Sequence, residues 1–347
     1  ESVQRKRKDL PMAARSSPSS SGAAARPSVG SWWWWWLLLV LVAPGGSLQG
    51  PCPSSPAVPG DAAVLRALIE EGVSHGEPVS LGGRCLSVSE PIKLPSPGSF
   101  LHLRGPGTLR STAHSIFQVG GNRQQLVLEG LDLVHETCGD RREVGAALFV
   151  LGKSAVTVRN CSLTSHQGFG IWVVQRGRVD LVGSRVERCG RSGAVCFGDA
   201  KLSLHECVVR ESGIHGVCAR GRSSITLASS TILASGNRGV FAYHNVTCEL
   251  HECLIANTRS SDLAGLQVEA LRPEDHCVLR LRGTTSFRGN GGLDVLLRGK
   301  VSLESLPLPV DGGHDGDDDR EVKTVLAAPP AEWTSENGPR VRLELTT

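Results

Sequence analysis

Residues 156–247 read as four tandem copies of one phrase: VTVRNCSLTSHQGFGIWVVQRGR (156–178), VDLVGSRVERCGRSGAVCFGDAK (179–201), LSLHECVVRESGIHGVCARGRSS (202–224) and ITLASSTILASGNRGVFAYHNVT (225–247). The period is 23 residues, and no gap is needed to keep it. In each copy the first and third residues are apolar (Val156 and Val158, Val179 and Leu181, Leu202 and Leu204, Ile225 and Leu227), the two-residue alternation of a short strand. The sixth residue alternates Cys161, Ser184, Cys207, Ser230, and the eighth is always branched: Leu163, Val186, Val209, Ile232. A Gly then recurs at Gly170, Gly193, Gly216 and Gly239, ahead of a second apolar run.

Short strands, turns at fixed positions and equivalent residues at a constant period describe a coil in which each turn pairs with the next. Turns stacked at roughly 4.8 Å bury a continuous aliphatic column. Two helices and a turn do not fit in 23 residues, and the many Val, Thr and Gly disfavour helix. The expected class is all-β, a right-handed parallel β-helix solenoid; looser copies on both sides bring it to about ten turns between Val79 and Pro309. A fifth block begins at Cys248 and runs six residues longer, with further copies at Cys277 and Val301. The recurring Gly is taken as the corner that lets the chain turn.

An open end of such a coil exposes unpaired strand edges and calls for a cap. DAAVLRALIEEG (61–72) supplies an N-terminal capping α-helix, with Asp61 as N-cap, Val64, Leu65, Leu68 and Ile69 as one apolar stripe and Gly72 as the stop. At the other end the tail PPAEWTSENGPRVRLELTT (329–347) is the candidate cap.

The front of the chain differs in composition. The only Met is Met12, and residues 1–11 read as upstream of the start. A basic stretch, the apolar run WWWWWLLLVLVA (Trp32–Ala43) and PGGSLQG have the layout of a secretory signal peptide. Twelve apolar residues are too few for a stable membrane span. The expected organisation is a basic, signal-peptide-like segment (1–50), a Pro-rich linker (51–60), the capped β-helix (61–310), and an acidic loop with a C-terminal tail (311–347). A secreted protein is expected, with an organelle or the cytoplasm as the alternatives.

The net charge of +3 comes from the first 30 residues, and the remainder is close to neutral. A nucleic-acid surface needs clustered excess Lys and Arg, no such stripe is seen, and no nucleic-acid partner is expected.

The blocks resemble the parallel β-helix repeats of F-box-type and spindle-associated Shc-binding proteins, in their C-x-[LV] then G-x-x-V pattern. EPVSLGGRCLSVSEPIKLPSPGSFLHLRGPGTLRS (77–111), after the capping helix, resembles the entry of the pectate-lyase-like superfamily. That resemblance implies the fold; for function it implies polysaccharide lyases, glycoside hydrolases, epimerases and non-enzymatic scaffolds alike. The Asn-Thr-Asp, Asp-Asp and Gly-His-Gly signatures of polygalacturonase-like members do not occur, nor does a pectate-lyase-type group of acidic calcium ligands in the regular units.

Alternation places Trp172, Val174, Val195, Phe197, Cys218, Arg220, Phe241 and Tyr243 on the outside after each Gly. This apolar, partly aromatic stripe is the expected binding surface for a glycan or protein ligand, unless an insertion or the tail covers it. On the next turns it becomes acidic. Gln267 and Glu269 follow Gly265, and Asp294 follows Gly292; Glu269 and Asp294 are the candidate catalytic pair, about 8 Å apart on strand geometry and compatible with an inverting acid and base.

The repeated LHEC (His205 with Cys207, His251 with Cys253) reads as packing, since alternation sends His out and Cys in. Cys161, Cys207 and Cys253 fall on alternate turns, beyond disulfide reach. DGGHDGDDD (311–319) lacks the ordered spacing of a calcium loop, and no cofactor or metal is expected. Asn160 and Asn245 are glycosylation acceptors by motif. The leading function is a non-catalytic binding or scaffold module; the alternatives are a polysaccharide lyase or glycoside hydrolase using Glu269 and Asp294, and an intracellular adaptor.

Overall fold

A computed structural model describes residues 60–136, 145–306 and 341–345. The signal-peptide-like segment, nearly all of the linker and the acidic run 311–319 lie outside the described residues. What is described is an all-β parallel solenoid with one N-terminal helix, as the repeat predicts.

The strands form a 17-stranded sheet, here sheet 1, and a 10-stranded sheet, here sheet 2. Sheet 1 has two facets. On the first, Ala155–Arg159, Arg178–Val182, Lys201–His205 and Ser224–Ala228 pair in parallel, so that Val156, Val179, Leu202, Ile225 and Cys248 stand in one column. The second carries Ser162–Ser165, Arg185–Glu187, Val208–Arg210 and Thr231–Leu233, which align Leu163, Val186, Val209 and Ile232. Sheet 2 aligns Phe169–Gln175, Ala194–Gly198, Val217–Arg220, Val240–Tyr243, Leu266–Glu269 and Val295–Gly299. The inward side chains of all three facets form one buried cluster running the length of the stack. Each fully enclosed Val, Leu or Ile contributes about 1.5–3 kcal/mol.

The corners are not where the Gly pattern puts them. Three columns of residues have left-handed backbone, and the first two are largely non-glycine: Asn160 (φ 51°), Glu206 (53°), Ser229 (46°) and Glu252 (51°), then Arg188 (49°), Glu211 (57°), Ala234 (51°) and Asn257 (56°). These residues are held there by ladder bonds to the next turn, such as Asn160 N–H to Val182 O (3.0 Å) and Glu206 N–H to Ala228 O (3.0 Å). Gly170, Gly193, Gly216 and Gly239 do not have positive φ. They are glycine because there is no room: a Cβ at Gly193 would lie 2.5 Å from Val209 Cγ1, 2.7 Å from Gly216 O and 2.9 Å from Ser212 Oγ.

The helix, α1 (Asp61–His75), closes the N-terminal end as expected, with different caps. Gly60 is the N-cap; Asp61 is the first helical residue, and its Oδ2 accepts the Ser87 N–H at 2.9 Å. The helix continues through Gly72 to the left-handed Gly76, whose N–H bonds Gly72 O. Gly72 is buried, and a Cβ there would stand 2.4 Å from Val79 Cγ2. Leu65 and Ile69 are buried and Leu68 packs beside them, but Val64 faces solvent. At the far end the tail returns as Val341–Leu345, pairing in parallel with Val295–Gly299 as the last rung of sheet 2.

The longer fifth block is longer than its sequence suggests. Cys248 pairs with Leu279, not Cys277, and Leu279 with Leu303, so the start of each later copy moves by two residues.

Candidate functional site

The strands of sheet 2 fix the outer side chains in two files along the stack. One holds Phe149, Trp172, Val195, Cys218, Phe241, Gln267 and Leu296; the other holds Val174, Phe197, Arg220, Tyr243, Glu269 and Arg298. The predicted residues therefore line up as far as Gln267 and Glu269, but the next turn presents Leu296 and Arg298 where Asp294 was expected.

Their exposure does not follow the prediction. Val195 (1%), Tyr243 (3%), Glu269 (5%) and Cys218 (6%) are buried; Trp172, Val174, Phe197, Arg220 and Phe241 are half-buried. Part of the cause is visible in the rings themselves. Phe149 lies 5.0 Å from Trp172, Phe169 lies 5.4 Å from Trp172, and Phe241 stacks on Tyr243 at 4.5 Å. The Arg238 guanidinium sits 4.1 Å over the Phe241 ring, while its Nε donates to Gln267 Oε1 at 2.5 Å. Arg220 lies over Tyr243 at 5.6 Å, and His215 packs on Phe241 at 5.3 Å.

These groups are electrostatically coupled. Burial, and secondarily the charge of Arg238, pushes His215 down to about 3. Burial raises the Tyr243 hydroxyl and pushes the Cys218 thiol up to about 12. Two enclosed nitrogens on this face, Trp172 Nε1 and His215 Nδ1, have no hydrogen-bond partner among the described residues. The face thus combines ring surfaces, arginine planes and unmatched polar atoms.

The candidate acid and base do not converge. The two-residue shift places Asp294 opposite Gly265, since Leu266 pairs with Val295. Glu269 lies four residues farther along the strand, roughly 13 Å, and one rung away. Each carboxylate is also occupied: Glu269 Oε1 pairs with Arg298 Nη1 at 3.0 Å and accepts Gln267 Nε2 at 2.6 Å, while Asp294 Oδ1 accepts Asn290 Nδ2 at 2.9 Å.

His205 faces outward and Cys207 is buried, with its Sγ 3.2 Å from His205 O; Cys253 is likewise buried beneath His251. Among the described residues no group of three His, Cys, Asp or Glu is placed to hold a metal. Asn160 is exposed at a corner. Asn245 is also exposed, but its carboxamide is engaged, donating to Asp275 Oδ1 (3.1 Å) and accepting the His276 N–H (2.9 Å). Asp275 also binds His244 Nδ1 at 2.5 Å. Within the described residues no helix is long and apolar enough to cross a membrane.

The fold, register and inner columns define a right-handed parallel β-helix repeat protein. The family model described as "Right handed beta helix region" matches residues 140–290. No curated protein matches the sequence. Among solved structures, the chain is similar to full-length tailspike protein 2 from Escherichia coli O157:H7 bacteriophage CAB120 (TM-score 0.45, 9% identity, 80% of this chain and 38% of that one). It is also similar to ORF18 of Geobacillus virus E2 (TM-score 0.42, 10% identity, 69% of this chain and 58% of that one). The chain thus spans less than two thirds of either protein.

Proposed function

We propose that this chain is a non-catalytic binding module whose ligand, a glycan or a protein segment, lies along the outer face of sheet 2. The observation that carries this reading is a set of half-buried rings and arginines on this face: Phe149 and Trp172 on adjacent rungs, Phe241 three rungs farther with Arg238 over its ring, and Arg220 in the neighbouring file. Aromatic faces offer apolar surface on which sugar rings or protein side chains can stack. The register separates Glu269 from Asp294, which favours binding over hydrolysis. A glycan array run beside a reducing-end assay tests this: binding without new ends is expected, and new ends contradict it.

The signal-peptide-like run and the open acceptor at Asn160 support secretion of this module. Expression in a mammalian secretory system is expected to give an endoglycosidase-sensitive band that Asn160→Gln removes. An unshifted, cell-retained product contradicts it.

A further inference from the structure

The 23-residue period gathers cations that the linear sequence scatters. At the third corner, where sheet 2 hands over to the first facet of sheet 1, Asn122, Lys153, Arg176, Asp199 and Arg222 follow one another on successive turns, with Arg178 and Lys201 beside them. Gly121, Gly152 and Gly198 floor this corner and leave a groove of about 450 Å³ lined by Asn122, Lys153, Gln175, Arg176 and Asp199. Gly152 (φ 72°) and Gly198 (φ 77°) are in the left-handed region, and a Cβ at Gly152 would also strike Gly121 O at 2.8 Å, so the floor stays bare.

Six cations, Arg123, Lys153, Arg176, Arg178, Lys201 and Arg222, share this corner with two carboxylates, Asp180 and Asp199. Arg178 pairs with Asp180 at 2.9 Å, and Arg222 grips Asp199 with both Nε (2.8 Å) and Nη2 (3.2 Å). Arg123, Lys153, Arg176 and Lys201 are exposed and form no ion pair with a described residue. The row covers five turns, about 19 Å at 4.8 Å per turn.

We infer that this corner binds a linear sulfated glycan along the stack axis, a site separate from the outer face of sheet 2. A sugar unit is close to one turn in length, so sulfates on two successive units meet Lys153 and Arg176 on adjacent turns without bending the chain. Guanidinium planes suit the paired oxygens of a sulfate. A single-stranded nucleic acid needs aromatic platforms for its bases, and the described residues lining the groove include none. Asp199 stands fourth in the row, between Arg176 and Arg222, and holds Arg222, so it limits binding.

The test is titration of the full chain with a heparin octasaccharide at 0.15 M salt. Lys153→Glu with Arg176→Glu is expected to weaken binding about tenfold or more and to lower the salt dependence by about two ions. Asp199→Asn is expected to tighten it severalfold. Thermal midpoints verify that the variants fold, and the milder Lys153→Gln/Arg176→Gln pair replaces the first if it does not. Unchanged affinity in both charge variants, equal binding of the fully desulfated octasaccharide, or tighter binding of charge-matched single-stranded DNA would each overturn the inference.

Discussion

Gly193 and Val209 stand so close that a Cβ on the glycine would lie 2.5 Å from Val209 Cγ1. The same closeness recurs at Gly170 with Val186 and at Gly216 with Ile232, each at 2.4 Å. These glycines set the distance between sheet 2 and the second facet of sheet 1.

Gly193→Ala is accordingly expected to destabilise the fold by about 1–3 kcal/mol through overpacking. Gly198→Asn is the contrast: its φ is 77°, a Cβ there meets nothing nearer than 3.4 Å, and Asn tolerates the left-handed region. Its cost is expected to stay below about 1 kcal/mol. Urea unfolding of both variants checks the order, and equal costs would refute it.

The buried histidines make the fold acid-sensitive. His215 is lowered to about 3 by burial and by Arg238, and His135, fully enclosed between Ser165 Oγ and Ala113 O, is lowered chiefly by burial. Both titrate near 6.5 when unfolded, so below that pH the unfolded chain takes up protons that the folded chain refuses. Stability is therefore complete above about pH 6.5 and falls by up to about 1.4 kcal/mol per pH unit for each group as the pH drops toward the folded values. Unfolding midpoints between pH 7.5 and 5 check this, and His215→Asn is expected to flatten the slope. A slope unchanged by that variant would contradict the assignment.

Thiol reactivity reports the same packing. Burial pushes Cys161 and Cys277 up to about 11 and Cys189 and Cys196 to about 12, and all are free thiols. Cys85 is free and exposed. Of these described cysteines, only Cys85 is expected to react with an aromatic disulfide reagent within minutes at pH 8. Rapid labelling of Cys189 or Cys196 in native protein would show that the stack opens.

The strand columns were legible because four gapless copies align Val156, Val179, Leu202 and Ile225 by counting alone. The corners were not, since Glu206, Arg188 and Ala234 carry no local signal for left-handed backbone; pairing on both sides imposes it. The burial of Val195 and Tyr243 depends on neighbours folding over them, which alternation cannot show. Asp294 was misplaced by two residues because insertions in the fifth block absorb the register change without altering the apolar pattern. The cationic corner was written in the period itself, at Lys153, Arg176 and Arg222, and reading repeat positions rather than neighbours finds it.

The central claim, that the outer face of sheet 2 binds and does not cleave, is tested most directly by measuring affinity for an array-identified ligand in wild type, Trp172→Ser/Phe241→Ser and Glu269→Gln. The account expects at least tenfold loss in the double variant at an unchanged fold, retained binding in Glu269→Gln, and no new reducing ends in any sample. Full affinity in the double variant, or ligand cleavage abolished by Glu269→Gln, would contradict it.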